Sequence, residues 1–401
     1  MKLRNLLCTV MVSVLSYSAQ ASDRQVTNWH EAVGRLTSSG AVAAWDGRGR
    51  EIFALNADTP YCPASVLKIL TSLTAIKVLG LEYRFHTRFY ISHEGDLCVE
   101  GRGDPFLVSE ELRIIAVELH RCGLSEVRNL VLDDSYFDPK IRIPGQGTSS
   151  NPYDADICAL SANFNTLSIK VNEKGMIVAG EPQTPITRLA LELAKNHPGI
   201  GSKRISLQGN REHCLRNVGE LLTVFLAEAG TTISGQTIYG PFSRDTSRLV
   251  LDHENSRNLS ENLQAMLQFS SNFIANQILL TAGAEHFGAP ATLEKGLKCV
   301  QSLLQETLDV DGVMVAEGSG LSRENQVTAR QFGPILSAFQ PYADLLSKRN
   351  GARTKSGTLS DVRSLAGYAH GASGNPFYFV ILLRGTNSNR EKILRLLQEN
   401  L

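Results

Sequence analysis

The sequence predicts an α+β protein in which the two ends of the chain build one antiparallel sheet and the middle is an inserted, strand-rich excursion. Two short apolar runs, Gly40–Trp45 and Glu51–Leu55, flank the turn sequence Asp46-Gly47-Arg48-Gly49 and read as a hairpin. Near the C-terminus Arg353–Thr358, Ser364–Tyr368 and Phe377–Leu383 follow one another, and the short turns between them require antiparallel neighbours. Together these runs make an expected sheet of five strands. Between the two groups the texture changes to short strands, turns and helical pieces. The expected division is therefore 22–82 with 248–401 as one split domain, and 83–247 as the insert.

The elements follow in order. Lys2 and Arg4, the apolar stretch Leu6–Leu15 and Ala19-Gln20-Ala21 make residues 1–21 a cleavable secretory signal, so the mature chain is expected to begin at Ser22, in the periplasm. That run is too short to span a bilayer and no later stretch reaches the needed length, so no transmembrane anchor is expected. Pro63–Gly80 reads as one helix, with proline suited to the first turn and glycine to the stop. Leu67, Leu70 and Leu73 with Ile69, Ala75 and Ile76 give it a wide apolar surface, hence a place deep in the core. Its first turn carries Ser65 and Lys68 on one face. Burial should lower the proton affinity of that lysine, leaving a base beside a nucleophile.

In the insert, strands are expected at Arg88–Ser92, Asn129–Leu132 and Leu167–Val171, and helices at Ser109–Cys122 and Asn217–Ala229. The helical pattern returns over Ser256–Gly283, broken at Ser270-Ser271-Asn272, and again at Leu293–Leu308 and Thr328–Phe339. Asn389–Asn400 is a short helix expected to pack on the sheet.

Of the 401 residues, 42% are hydrophobic and 20% charged, and Lys plus Arg equals Asp plus Glu at 40 each. The balance leaves no basic surplus for nucleic acid. Six cysteines remain after the signal, enough for fifteen full pairings, and the pairing is left open. Without Cys-x-x-Cys or His-Glu-x-x-His, a metal site is disfavoured and no cofactor is implied. A Ser-His-Asp hydrolase would need a Gly-x-Ser-x-Gly elbow, absent around Ser65.

Acyl transfer needs a base for the hydroxyl, donors for the oxyanion and an anchor for the negative end of the substrate. Lys355-Ser356-Gly357 offers main-chain N–H groups on a strand, an unobstructed glycine and a positive charge. Ser270-x-Asn272 offers a hydroxyl and an amide; Ser-x-Asn recurs at Ser149, Ser161, Ser256, Ser260 and Ser373, but its place in a helix break sets this copy apart. Ser65-x-x-Lys68, Ser270-x-Asn272 and Lys355-Ser-Gly, in this order, are the signature of serine β-lactamases and penicillin-binding proteins.

With Gly103-Asp-Pro105, Leu132-Asp-Asp-Ser-Tyr-Phe137, Ser161-Ala-Asn-Phe-Asn165, Glu317-Gly-Ser-Gly-Leu-Ser-Arg323 and Leu365-Ala-Gly-Tyr368, nearly the whole mature chain resembles the D-alanyl-D-alanine carboxypeptidase/endopeptidase family, the low-molecular-mass class C penicillin-binding proteins. The resemblance implies a transpeptidase-like domain of the serine β-lactamase fold, split by inserted domains. It implies Ser65 as acylated nucleophile and Lys68 as its base. Ser270 and Asn272 would relay protons and hold the substrate amide, Lys355 would anchor the terminal carboxylate, and the N–H groups of Ser65 and Thr358 would form the oxyanion hole. Asp133 (or Asp134), Phe137, Arg323 and Ser360 match positions that bind the diaminopimelyl side chain. The implied partners are peptidoglycan stem peptides and crosslinks, with β-lactams as covalent inhibitors. Ser356 stands where threonine is common, which keeps the hydroxyl, and the insert is shorter than in larger members.

Two other readings compete. A serine β-lactamase is disfavoured because no Glu-x-x-Leu-Asn motif places a deacylating water and no Tyr-x-Asn occurs. A non-catalytic wall-binding protein on the same fold is disfavoured because every catalytic hydroxyl and amine is present.

Overall fold

The computed structural model describes residues 29–401 except 208 and 210, so the expected signal lies outside the described residues. By packing, the chain divides into two units: the described residues up to Val66 with Gln326–Leu401, and Leu67–Asn325.

In the first unit the strands lie in the order Ser347–Arg349, Ala352–Leu359, Val362–His370, Pro376–Arg384, Gly40–Asp46, Glu51–Leu55. All neighbours are antiparallel, and Gly40–Asp46 pairs with Pro376–Arg384, so the two ends of the chain share a sheet. The five expected strands are all present; the three-residue edge strand Ser347–Arg349 is additional. Gly40–Trp45 is buried throughout, which its continuous small and apolar sequence allows. Trp29, Val33, Phe379, Ile381, Ile393 and Leu397 form the core between one face of the sheet and the helices 29–37 and Arg390–Asn400. The helix Ala329–Phe339 packs on the central strands, close enough that a Cβ at Gly333 would come within 2.6 Å of the Trp45 ring.

In the second unit Lys68–Leu79, preceded by a 3-10 turn over Ala64–Leu67, packs against Asn272–Phe287. Gly80, at φ 82°, ends it in a backbone conformation other residues reach only under strain. Leu259–Phe269 stops where Ser270 turns left-handed (φ 56°, ψ 34°), and Ser271 caps the next helix by accepting from the Ile274 N–H at 3.2 Å. The break in the pattern is thus a real break.

Residues 83–258 contain two separate cores. One is a mixed sheet ordered Thr237–Tyr239, Leu130–Asp133, Leu97–Gly101, Arg84–Ser92, Ser247–Asn258, covered by the helices Ser109–Arg121 and Arg211–Ala229. The other is a three-stranded antiparallel sheet with the helix Arg188–Ala194. Buried Cys158 and Cys214 touch within it. Ser256 to Asn258, read as helical from sequence, instead end the long strand Ser247–Asn258. The helix begins at Leu259, where Asn258 and Glu261 form a capping box. Among the described residues no helix is long and apolar enough to cross a membrane, and no cluster of three or more His, Cys, Asp or Glu could hold a metal.

Candidate active site

In the second unit the chemistry gathers on Lys68, which is completely buried. Its Nζ donates to Asn272 Oδ1 at 2.9 Å and to the Ser319 carbonyl at 2.6 Å. Asn272 is placed by the helix break described above. The Ser319 carbonyl is placed by a buried carboxylate: Glu317 Oε2 accepts from Ser319 N (2.7 Å), Ser319 Oγ (2.6 Å) and Asn276 Nδ2 (3.2 Å). Its Oε1 accepts from Leu321 N (2.7 Å), Ser322 N (3.3 Å) and Asn325 Nδ2 (2.9 Å). Thr71, one turn along from Lys68, donates to the Gly318 carbonyl at 2.6 Å and ties the same loop to the helix. Beside Ser270 and Asn272 opens a cavity of about 690 Å³, walled largely by Phe106, Tyr153, Phe164 and Phe269.

In the first unit the strand Ala352–Leu359 runs against the segment that carries Ser65. A Cβ added to Gly357 would lie 2.8 Å from Ser65 N and 2.3 Å from Ser364 Oγ, so only glycine allows the approach. Ser364 Oγ donates to the Pro63 carbonyl at 2.6 Å and locks the contact from the next strand. Ala64 is left-handed at φ 48°, a strained conformation for an alanine, immediately before Ser65. Lys355 is buried and donates to the Ser356 carbonyl at 2.9 Å. Burial, then the charges of Arg390 and Arg349, pull its proton affinity down to about 8. Arg390 Nη1 donates to the Gly357 carbonyl (2.6 Å), Thr358 Oγ1 (3.1 Å) and the Ser364 carbonyl (3.2 Å).

The residues expected to hold a diaminopimelyl side chain are placed unevenly. Arg323 and Ser360 are exposed, the Ser360 hydroxyl donating to Asp361 Oδ1 at 3.2 Å. Asp133 is buried and accepts from Ser135 N at 2.8 Å, closing the turn after its strand, and Asp134 is paired with Arg211. Phe137 is wholly buried with Tyr136, Ala159, Leu280 and Ala291. Sequence reasoning assigned no role to Glu317 or Arg390. The signal for Glu317 was a carboxylate inside a Gly/Ser loop, whereas Arg390 had none.

The two-ended antiparallel sheet bearing Lys-Ser-Gly, and the buried lysine paired with an asparagine at a helix break, define the penicillin-binding class of serine enzymes. The chain belongs to the D-Ala-D-Ala carboxypeptidase 3 (S13) family, whose model matches residues 25–196 and 202–348. It is accordingly a serine-type D,D-peptidase. It is 27% identical over 445 aligned positions to a D-alanyl-D-alanine carboxypeptidase of Actinomadura sp. (strain R39), covering 90% of this chain and 82% of that one. Its fold matches penicillin binding protein 4 from Haemophilus influenzae with a TM-score of 0.74 at 21% identity, covering 91% and 97% of the two chains. That protein has also been solved in complex with a β-lactam. A predatory endopeptidase from Bdellovibrio bacteriovorus matches with a TM-score of 0.52 at 18% identity, covering 90% and 91%.

Proposed function

We propose that this peptidase is exported to the periplasm and cleaves D-Ala-D-Ala stems, or D-Ala–diaminopimelate crosslinks, through an acyl-enzyme on Ser65. The observation that carries the reading is the double donation of buried Lys68 to Asn272 Oδ1 and the Ser319 carbonyl. A neutral amine has two N–H bonds and one lone pair. Those acceptors orient the amine, which in its neutral form carries the lone pair that would take the proton of Ser65, three residues earlier in the chain.

Ser65 Oγ bonds to the carbonyl carbon of the D-Ala while its proton passes to Lys68. The oxyanion accepts from the N–H groups of Ser65 and Thr358, worth about 3–4 kcal/mol per donor in comparable sites. The C–N bond then breaks, and the proton reaches the leaving amine through Ser270. Water releases the acyl group by the reverse path. Asn272 holds the substrate amide and Lys355 its terminal carboxylate, with Ser356 and Gly357 lining the strand. Arg323, Ser360, Asp133 (or Asp134) and Phe137 remain the candidates for binding the side chain of diaminopimelate. A β-lactam undergoes the same attack, but its opened ring stays tethered and the adduct persists.

Intact-mass spectrometry with and without penicillin, followed by peptide mapping, tests this. One stable adduct on Ser65 is expected, and Ser65→Ala should lose both the adduct and peptide cleavage. Rapid penicillin turnover would favour a β-lactamase, and folded protein that takes no adduct would remove Ser65 as nucleophile.

A further inference from the structure

Arg390 sits where stability alone gives it little reason to be. It occupies the first position of the helix Arg390–Asn400, against the helix dipole, with its side chain only 15% exposed. The charged groups around it are mostly of its own sign: Arg363, Arg349 and Lys355, with Glu391 at 3.6 Å the carboxylate that faces it. Burial and the neighbouring cations both work against its charge. Its Nε is buried without a hydrogen-bond partner. What it does make is the three-way clamp on Gly357, Thr358 and Ser364.

The geometry points to Arg390 as a positioning residue for acylation: its guanidinium orients the Gly357–Thr358 peptide and adds a second positive charge behind Lys355, making a subsite for a substrate carboxylate. The inference rests on the reading of Ser65 and Thr358 given above. In a trans peptide the C=O and N–H point in opposite directions. Holding the Gly357 carbonyl therefore also sets the direction of the Thr358 N–H, the proposed oxyanion donor. On its outer side the strand has no pairing there, since Ser347–Arg349 pairs with Ala352–Thr354 and stops short of Gly357; on its inner side Gly357 faces Ser364 and Thr358 faces Arg363, and the guanidinium adds its hold to that pairing. Beside Lys355 the same guanidinium repels the lysine's proton, which lowers the pH at which the carboxylate anchor is lost.

The test is the acylation rate of the mature protein by a fluorescent penicillin from pH 6 to 10, for wild type, Arg390→Met and Arg390→Lys, with a melting curve for each. The wild-type rate should fall as pH rises through about 8, where Lys355 loses its proton. Arg390→Met should acylate roughly tenfold or more slowly at pH 7, since a charge-assisted clamp is lost. Its alkaline limb should move up by roughly half a pH unit, because a like charge has been removed from beside Lys355. Arg390→Lys should keep the limb near its wild-type position yet stay slow, since an ammonium lacks the planar fork.

A helix that merely lost packing would change the rate or the melting curve and leave the limb in place. Wild-type rate and limb in Arg390→Met overturn the inference. If that variant does not fold, a wild-type rate in Arg390→Lys does the same. Absence of any adduct on wild-type Ser65 brings down the reading of the whole site instead, so the two failures are distinguishable.

Discussion

At the scale of single residues, the buried Lys68 depends on a carboxylate it does not touch. Glu317 collects the N–H groups of Ser319, Leu321 and Ser322 and the amides of Asn276 and Asn325, and the resulting loop delivers the Ser319 carbonyl to Lys68. A carboxylate accepts at both oxygens, whereas an amide turns N–H bonds toward half of those donors. Glu317→Gln should therefore lower unfolding stability by about 2–4 kcal/mol in urea titrations. It should also slow penicillin acylation, as the Lys68 partner shifts. Wild-type stability in that variant would mean that the loop holds its shape without the charge.

At the scale of elements, the break between Leu259–Phe269 and Asn272–Phe287 is held by a serine in a conformation that suits glycine better. Backbone strain at such a site persists where the structure around it demands the residue for another reason. Ser270→Gly separates the two contributions. Stability should be unchanged or higher by as much as about 1 kcal/mol, from relief of the left-handed strain. Acylation should fall on the order of a hundredfold, the usual worth of a proton-relay group. A drop in melting temperature with normal acylation would make Ser270 a structural residue. The strand Ser247–Asn258 shows the opposite situation: its side chains are largely polar and half-exposed, so nothing in its own pattern announces a strand, and pairing with Arg84–Ser92 makes it one.

At the scale of the whole molecule, buried ionisable groups in Leu67–Asn325 set how stability follows pH. Burial pushes the Asp104 carboxyl up to about 6 while Asn255 and the Phe106 N–H hold it. A carboxyl that binds its proton more tightly folded than unfolded costs stability as pH rises from about 4 to 6. Hydrogen bonds to Glu111 and Glu118 outweigh burial and raise His253, so its contribution is full below its ordinary value of about 6.5 and is lost as pH rises through the folded one. Glu111, Asp96 and Asp252 are shifted down, and theirs is lost as pH falls. Melting temperature measured from pH 4 to 8 should peak in mild acid, near about pH 5. Asp104→Asn should remove the part of the decline between about 4 and 6, worth at most about 3 kcal/mol, and leave the part above 6.5. A melting temperature that climbs steadily to neutrality, unaffected by Asp104→Asn, would rule this out.

The sequence by itself determined what is local or carried by order. Gly47 and Gly49 marked the first hairpin, Gly80 the end of the Lys68 helix, and Ser270-Ser271-Asn272 the break between two others. The three motifs in succession indicated the class of chemistry. Tertiary structure alone decided which groups hold that chemistry in place. Gly357 meets Ser65, Ser364 reaches Pro63 across 301 residues of sequence, and Asn272 reaches Lys68 across 204. Phe137 went into the core, Glu317 came to hold the loop that reaches Lys68, and Arg390 came to bond the Gly357 carbonyl, through partners that no spacing rule specifies. The physical reason is range. Helix ends, turns and capping act over a few residues and leave their mark on the local pattern. Burial and charge depend on which distant segments pack together, and that is settled only when the chain folds.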